Sequence, residues 1–357
     1  MSPTPLGAEI AALIRETGPI GIDRYMALCL GHPVHGYYRT RDPLGPRGDF
    51  TTAPEISQMF GELVGVWIAS VWAAMGAPAP LRLVELGPGR GTLMADALRA
   101  LRTVAPTAAI DLHLVETSPV LRAAQEATLA TATPTWHADV ASVPPGPAIV
   151  VANEFFDCLP VRQFVRTARG WCERLVGLAD GALAFGLAPD PTVAITAAAA
   201  EGALMTLPAP ALDLALTLAR RVRDQGGALL VVDYGHVRPG FGDTLQAIAG
   251  HRFVGPLDAP GEADLTVHVD FPALARAAAE AGAAIHGPVD QRAFLDALGL
   301  PARAGRLKAR ATPAQAEAIA AASLRLTDPA PGGMGSLFKA MAITQPTLPP
   351  PPGFAHG

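Results

Sequence analysis

The chain has 357 residues, half of them hydrophobic, with 27 Lys and Arg against 32 Asp and Glu and a formal net charge of −5. That apolar fraction supplies a sizeable core and excludes a disordered chain, while the length points to one large domain with additions or to two domains. The negative balance disfavours a nucleic-acid binder, because no global basic field is present to hold a polyanion.

Three stretches follow in chain order. Residues 1–79 read as a mostly helical region, with amphipathic helices over 9–16 and 22–29 and a Gly/Pro-rich loop over 31–49. Thr52 and Glu55 have capping-box spacing with Pro54 in the first turn, so a helix over 55–75 is predicted next. Residues 80–343 alternate strand and helix: strands over 81–86, 110–116 and 148–152, helices over 93–104 and 118–129. That alternation predicts a parallel sheet with helices on both faces. An insertion at about 161–207 interrupts it with hairpin strands that turn at Arg169 and Gly170. The alternation resumes with helices over 211–225, 271–281 and 313–326 and strands over 228–233, 284–286 and 337–344. Residues 344–357 carry a proline run and read as a flexible tail.

Cys29, Cys158 and Cys172 form no CxxC pair, which argues against a disulfide scaffold or a structural zinc site. Residues 1–9 have neither the basic and apolar segments of a secretion signal nor an Arg-rich transit segment. Apolar stretches are short or interrupted, so no membrane insertion is expected. A cytoplasmic location is the simplest expectation.

The sharpest motif is Val84-Glu85-Leu86-Gly87-Pro88-Gly89-Arg90-Gly91-Thr92, a strand end, a GxGxG turn and a helix start. Such a turn lets the backbone approach a ligand, and the helix N-terminus offers free N–H groups. The third glycine falls one place earlier than in a dinucleotide fingerprint. Glu85 would repel a pyrophosphate but suits the cationic amino-acid end of S-adenosyl-L-methionine. Glu116 ends the second strand, 25 residues after Gly91, where a carboxylate can accept from both ribose hydroxyls or cap the next helix. Asp139 follows the third strand and can take the adenine amino hydrogens, with Val140 lining the ring, or simply close a turn. The fourth strand ends in Asn153-Glu154-Phe155-Phe156-Asp157. Glu154 and Asp157 can bind a cationic substrate group or take its proton, or cap a turn.

On these residues the sequence resembles the MidA-like family of class I S-adenosyl-L-methionine-dependent methyltransferases. The matching blocks run from Gly18-Pro19-Ile20 to Phe338-Lys339. They include His35-Gly36-Tyr37-Tyr38, the long stretch from Gly48-Asp49-Phe50 to Gly61-Glu62, the glycine turn, Glu116-Thr117-Ser118-Pro119, Asn153 to Asp157, Asp233-Tyr234-Gly235-His236, and Asp264 to Phe271. Cys158 stands where a small residue such as Ala is expected.

The resemblance implies an α/β fold: a Rossmann-like seven-stranded sheet with its last strand antiparallel, a helical N-terminal extension and a β-hairpin insertion. It implies S-adenosyl-L-methionine as cofactor, held by Gly87, Gly89, Gly91, Glu116 and Asp139; Glu85, Pro88, Val140 and Asn153 complete the expected cofactor site. It implies a protein substrate, because the family includes a mitochondrial arginine methyltransferase that assists assembly of respiratory complex I. A core subunit of that complex is the first substrate candidate, with symmetric dimethylation of an arginine as the reaction. Glu154 and Asp157 would grip the guanidinium, and residues 35–62 would form a lid over cofactor or substrate. His236 can shuttle a proton or satisfy its turn, and His268 with Asp270 can face the substrate or cap the following helix. No metal-ligand spacing supports a metal site. Two other readings stay open: a methyltransferase for a small molecule or another side chain, and a non-catalytic chaperone that keeps the cofactor site.

Overall fold

The computed structural model describes residues 4–45 and 48–354. The chain forms two compact units, the first from residues 1–50, 157–213 and 238–270, the second from 51–156, 214–237 and 271–357. This division cuts across the expected boundary at residue 79. The reason is hydrophobic: Met59, Leu63 and Trp67 are buried in the same core cluster as the sheet strands, so their helix belongs with the sheet.

The second unit is built on a seven-membered run of strands. They are β1 (Leu81–Leu86), β2 (Ile110–Val115), β3 (Thr135–His137), β4 (Ala148–Asn153), β5 (Gly227–His236), β6 (Ala284–Asp290) and β7 (Phe338–Thr344). Their order across the sheet is β6-β7-β5-β4-β1-β2-β3. Neighbours from β5 to β3 are parallel, and β7 runs antiparallel to both β5 and β6. Every residue of β4 is buried, as a central strand covered on both faces requires. The order reverses between β1 and β4, which places a ligand crevice beyond their carboxyl ends.

The helix after the Thr52 segment departs from expectation. A short turn, Ala53–Ile56, is followed by a break at Ser57 and the main helix Gln58–Ala74. Ser57 caps it, its Oγ accepting from Met59 N at 3.2 Å, while Thr52 makes no side-chain cap bond. The box fails because the Glu55 carboxylate is drawn elsewhere: Thr92 Oγ1 donates to it at 2.5 Å and Arg90 Nη1 at 3.3 Å. Gly61 and Gly65 let this helix cross Thr92–Val104 closely; a Cβ at Gly65 would lie 2.6 Å from the Ala97 carbonyl oxygen.

The C-terminal segment is not free through residue 354. Leu348 and Phe354 are buried in the core, and the Phe354 ring lies 5.3 Å from that of Phe294. Proline run and packing coexist because apolar side chains between prolines still find a surface to cover. Residues 355–357 of the expected tail lie outside the described residues.

The first unit packs the helices Pro5–Thr17 and Ile22–Gly31 on antiparallel strands. Arg162–Thr167 and Gly170–Ala179 form the expected hairpin, and Ala182–Thr192 extends it. Ile20 pairs with Val176, which ties the N-terminal region to the insertion. Leu204–Leu207 and a small sheet of Gln246–Ala249, Arg252–Val254 and Asp264–Thr266 complete it. Two tyrosines pin the loop between its helices and strands: Tyr37 donates to Asp49 at 2.7 Å and Tyr38 to Asp264 at 2.9 Å.

Candidate functional site

The glycine turn leaves β1 with Gly87, Gly89 and Gly91 all at positive φ. A side chain at Gly87 would strike the Phe155 ring, its Cβ 2.7 Å from Cδ2. Gly91 is the left-handed N-cap of Thr92–Val104 and supplies no side chain to that helix end. The expected helix N-terminus therefore opens beside the turn, uncapped by a side chain. Gly91 N donates back to the Pro88 carbonyl at 2.8 Å, which closes the turn.

Glu85, next to this turn, is only 3% exposed. Its Oε2 has no hydrogen-bond partner among the described residues. Burial, and then the charge of Glu116, push its carboxyl up to about 8. A buried acid without a partner is costly, and a cationic ligand is the natural remedy.

Glu116 at the end of β2 is buried, and burial raises its carboxyl above the ordinary range. Ser118 N donates to its Oε1 at 2.7 Å and Gln125 Nε2 to its Oε2 at 3.1 Å. Gln125 is a residue that sequence reasoning missed. It is fully buried, donates also to the Gly89 carbonyl at 2.7 Å, and accepts from Trp136 Nε1 at 2.9 Å. One amide thus locks glycine turn, Glu116 and β3 together. Its signal was a polar residue in the buried stripe of the helix Pro119–Thr128, four places after Leu121.

At the end of β4, Asn153 Oδ1 is buried and has no partner among the described residues, while its Nδ2 donates to Glu154 Oε1 at 3.2 Å. Glu154 itself sits at φ 50. A non-glycine residue there carries strain of about 1–2 kcal/mol, and such strain collects at functional sites. Ala53 N also donates to Glu154 Oε1, at 2.9 Å. Asp233, likewise missed, is fully buried and shapes this corner: its Oδ2 accepts from Phe155 N and Phe156 N at 3.1 and 2.9 Å.

Asp139 caps a single 3-10 turn, Val140–Ser142, its Oδ1 accepting from Ser142 N at 2.9 Å. His236 is half-buried at the end of β5. The four expected catalytic residues are divided, with Glu154 and His236 in the second unit and Asp157 and His268 in the first. Asp157 is buried, and its carbonyl accepts from Val267 N at 2.9 Å. Burial, followed by the Asp157 charge, pushes the neighbouring Asp264 carboxyl up to about 8. His268 is half-buried, just before the short strand Val269–Asp270.

The cofactor candidates therefore line the carboxyl ends of β1, β2, β3 and β4 within one unit. An unpartnered buried acid, an unpartnered amide oxygen and a backbone turn held open by glycines suit S-adenosyl-L-methionine, which offers an ammonium group, hydroxyls and a base.

A family model for S-adenosyl-L-methionine-dependent methyltransferases matches residues 63–289. The chain is 40% identical to the mitochondrial protein arginine methyltransferase NDUFAF7 homolog of Drosophila melanogaster, covering 95% of this chain and 84% of that protein. It is 41% identical to mitochondrial NDUFAF7 of Mus musculus, also named a protein arginine methyltransferase, over 84% of this chain and 75% of that one. A crystal structure of a Burkholderia thailandensis protein bound to S-adenosyl-homocysteine superposes with a TM-score of 0.84 at 30% identity, covering all of this chain and 98% of that one. The cytoplasmic expectation is overturned by these relatives, which are named as mitochondrial proteins. The folded core carries no address, so its composition could not decide the compartment.

Proposed function

This chain belongs to the MidA-like family of S-adenosyl-L-methionine-dependent methyltransferases, and from that premise we propose that its methyl acceptor is an arginine side chain of a protein, with a core subunit of respiratory complex I as first substrate. The observation that carries the acceptor class is the activity named for relatives about 40% identical over most of the chain.

S-adenosyl-L-methionine supplies an electrophilic methyl group, so the protein's task is to position its partners. Glu85 neutralises the ammonium end, Glu116 takes the ribose hydroxyls, and the Gly87–Gly91 turn lets the backbone come close. Arginine enters protonated, since its guanidinium holds its proton at any working pH, and its nitrogen is a poor nucleophile until a carboxylate orients it. Glu154 is the residue placed for this. Its Oε1 already holds the Ala53 and Asn153 N–H groups, so the carboxylate is fixed before substrate arrives. It grips the guanidinium and takes up the nitrogen's proton as the new bond forms.

The test mixes purified protein, methyl-labelled S-adenosyl-L-methionine and extract from a strain lacking the gene, beside a Gly89→Val control. One labelled band that the control lacks, carrying symmetric dimethylarginine in a complex I subunit, is the expected result. Label on a small molecule or on another residue type would refute the acceptor. No label despite measurable binding of S-adenosylhomocysteine would favour the chaperone reading.

A further inference from the structure

Behind the Asp139 turn lies a pair of buried histidines. His113 on β2 and His137 at the end of β3 are 3% and 9% exposed, and His113 Nδ1 lies 2.8 Å from His137 Nε2. The pair sits in a longer chain. His113 Nε2 is 3.0 Å from Asp111 Oδ2, an ion-pair distance, and Arg82 flanks the same carboxylate at 3.2 Å. At the other end His137 Nδ1 is 3.2 Å from Ser142 Oγ. Ser142 Oγ donates to the Asp139 carbonyl at 2.8 Å, and Ser142 N donates to Asp139 Oδ1.

Donor bookkeeping assigns the protons from Ser142 to His113 Nδ1. The Ser142 hydroxyl hydrogen is spent on the Asp139 carbonyl, so Ser142 Oγ must accept, and His137 Nδ1 carries a hydrogen. A neutral His137 then presents a bare Nε2, which accepts from His113 Nδ1. His113 Nε2 lies at ion-pair distance from Asp111 Oδ2 without hydrogen-bond geometry, so that contact assigns no proton. In this arrangement His137 is neutral. A second proton would set two N–H groups head to head at 2.8 Å.

We propose that His113 and His137 are positioning residues for the nucleoside end of the methyl donor, holding the Asp139–Ser142 turn through a one-way chain of hydrogen bonds that only a neutral His137 can make. This rests on Asp139 and Val140 as adenine contacts. Burial and the neighbouring His113 charge hold His137 below the ordinary histidine range, with Arg221 adding to the same effect and Asp139 opposing it. The charged groups facing the pair are therefore Asp111, Arg82, Asp139 and Arg221. Acid that forces a proton onto His137 breaks the link to His113 and releases the turn.

The probe is 5′-methylthioadenosine, which lacks the amino-acid end and so ignores Glu85. Its dissociation constant is measured by calorimetry from pH 5.5 to 8 on the wild type and on His137→Gln. Glutamine can donate to Ser142 and accept from His113 but cannot take a proton. The wild type is expected to bind about fivefold or more weakly at pH 5.5 than at pH 7.5, the size of an ordinary coupling between sites. The variant is expected to match it at pH 7.5 and to stay flat. A flat wild-type profile, or the same slope in His137→Gln, overturns the proposal. The Asp139 reading is judged separately with 5′-methylthioinosine: equal affinity of the wild type for both nucleosides sinks that reading, whereas the pH slope alone decides the relay.

Discussion

Glu85→Gln isolates the conflict between stability and ligand binding in the glycine turn. The folded, ligand-free protein keeps a proton on Glu85 up to about pH 8, whereas an ordinary glutamate releases it near 4.5. Each pH unit in that window costs the fold about 1.4 kcal/mol. At pH 7 the loss is on the order of 2–3 kcal/mol once some water entry at the site is allowed for. The direction follows from the raised value: the cost is absent below pH 4.5, grows as pH rises and levels off above about 8. Glutamine keeps the volume and cannot ionise. Thermal unfolding from pH 5 to 8.5 should show the variant close to wild type at pH 5 and several degrees more stable at pH 8. Adding S-adenosylhomocysteine should then raise the wild-type midpoint strongly and the variant's hardly at all, since the ammonium partner is gone. A gap between the two proteins that does not change with pH, or a variant less stable throughout, would refute the assignment of a buried, unpaired acid.

Three further experiments probe other links. Glu154→Gln retains an Oε1 that can hold Ala53 and Asn153, so S-adenosylhomocysteine should bind within about twofold of wild type while labelled methyl transfer falls by about tenfold or more; a wild-type rate would remove Glu154 from the mechanism. Gly87→Ala places a Cβ 2.7 Å from the Phe155 ring at φ 58, and chemical denaturation should show a loss of about 2–3 kcal/mol; a loss under about half a kcal/mol would mean the turn relaxes. Glu62 is 7% exposed and bound by Arg303 at 2.7 and 2.8 Å and by Arg99 at 2.9 Å. A double-mutant cycle of Glu62→Gln with Arg303→Met should give a coupling above about 1 kcal/mol, and simple additivity would show that the pair contributes nothing specific.

Much of this protein could be read from local pattern. The glycine turn, the acids closing the strands and the apolar runs of β1, β2 and β4 need only neighbouring residues to declare themselves, because side-chain period and turn chemistry are properties of a few consecutive positions. Leu204–Leu207 and Arg252–Val254 were not legible, being short and without alternation. The capping box at Thr52 matched its template and still did not form, since Glu55 finds Thr92 and Arg90, more than thirty residues away. Gln125, Asp233 and the His113–His137 pair likewise reach partners outside their own segment: Gly89, Phe155 with Phe156, and each other. The sequence alone determined the main alternation of strands and helices and which residue types close the sheet strands. Only the tertiary structure decided which buried polar groups satisfy one another and which, like Glu85 Oε2 and Asn153 Oδ1, have no partner among the described residues. The reason is that a hydrogen bond is settled over about 3 Å of space, and two atoms that close can be hundreds of residues apart along the chain.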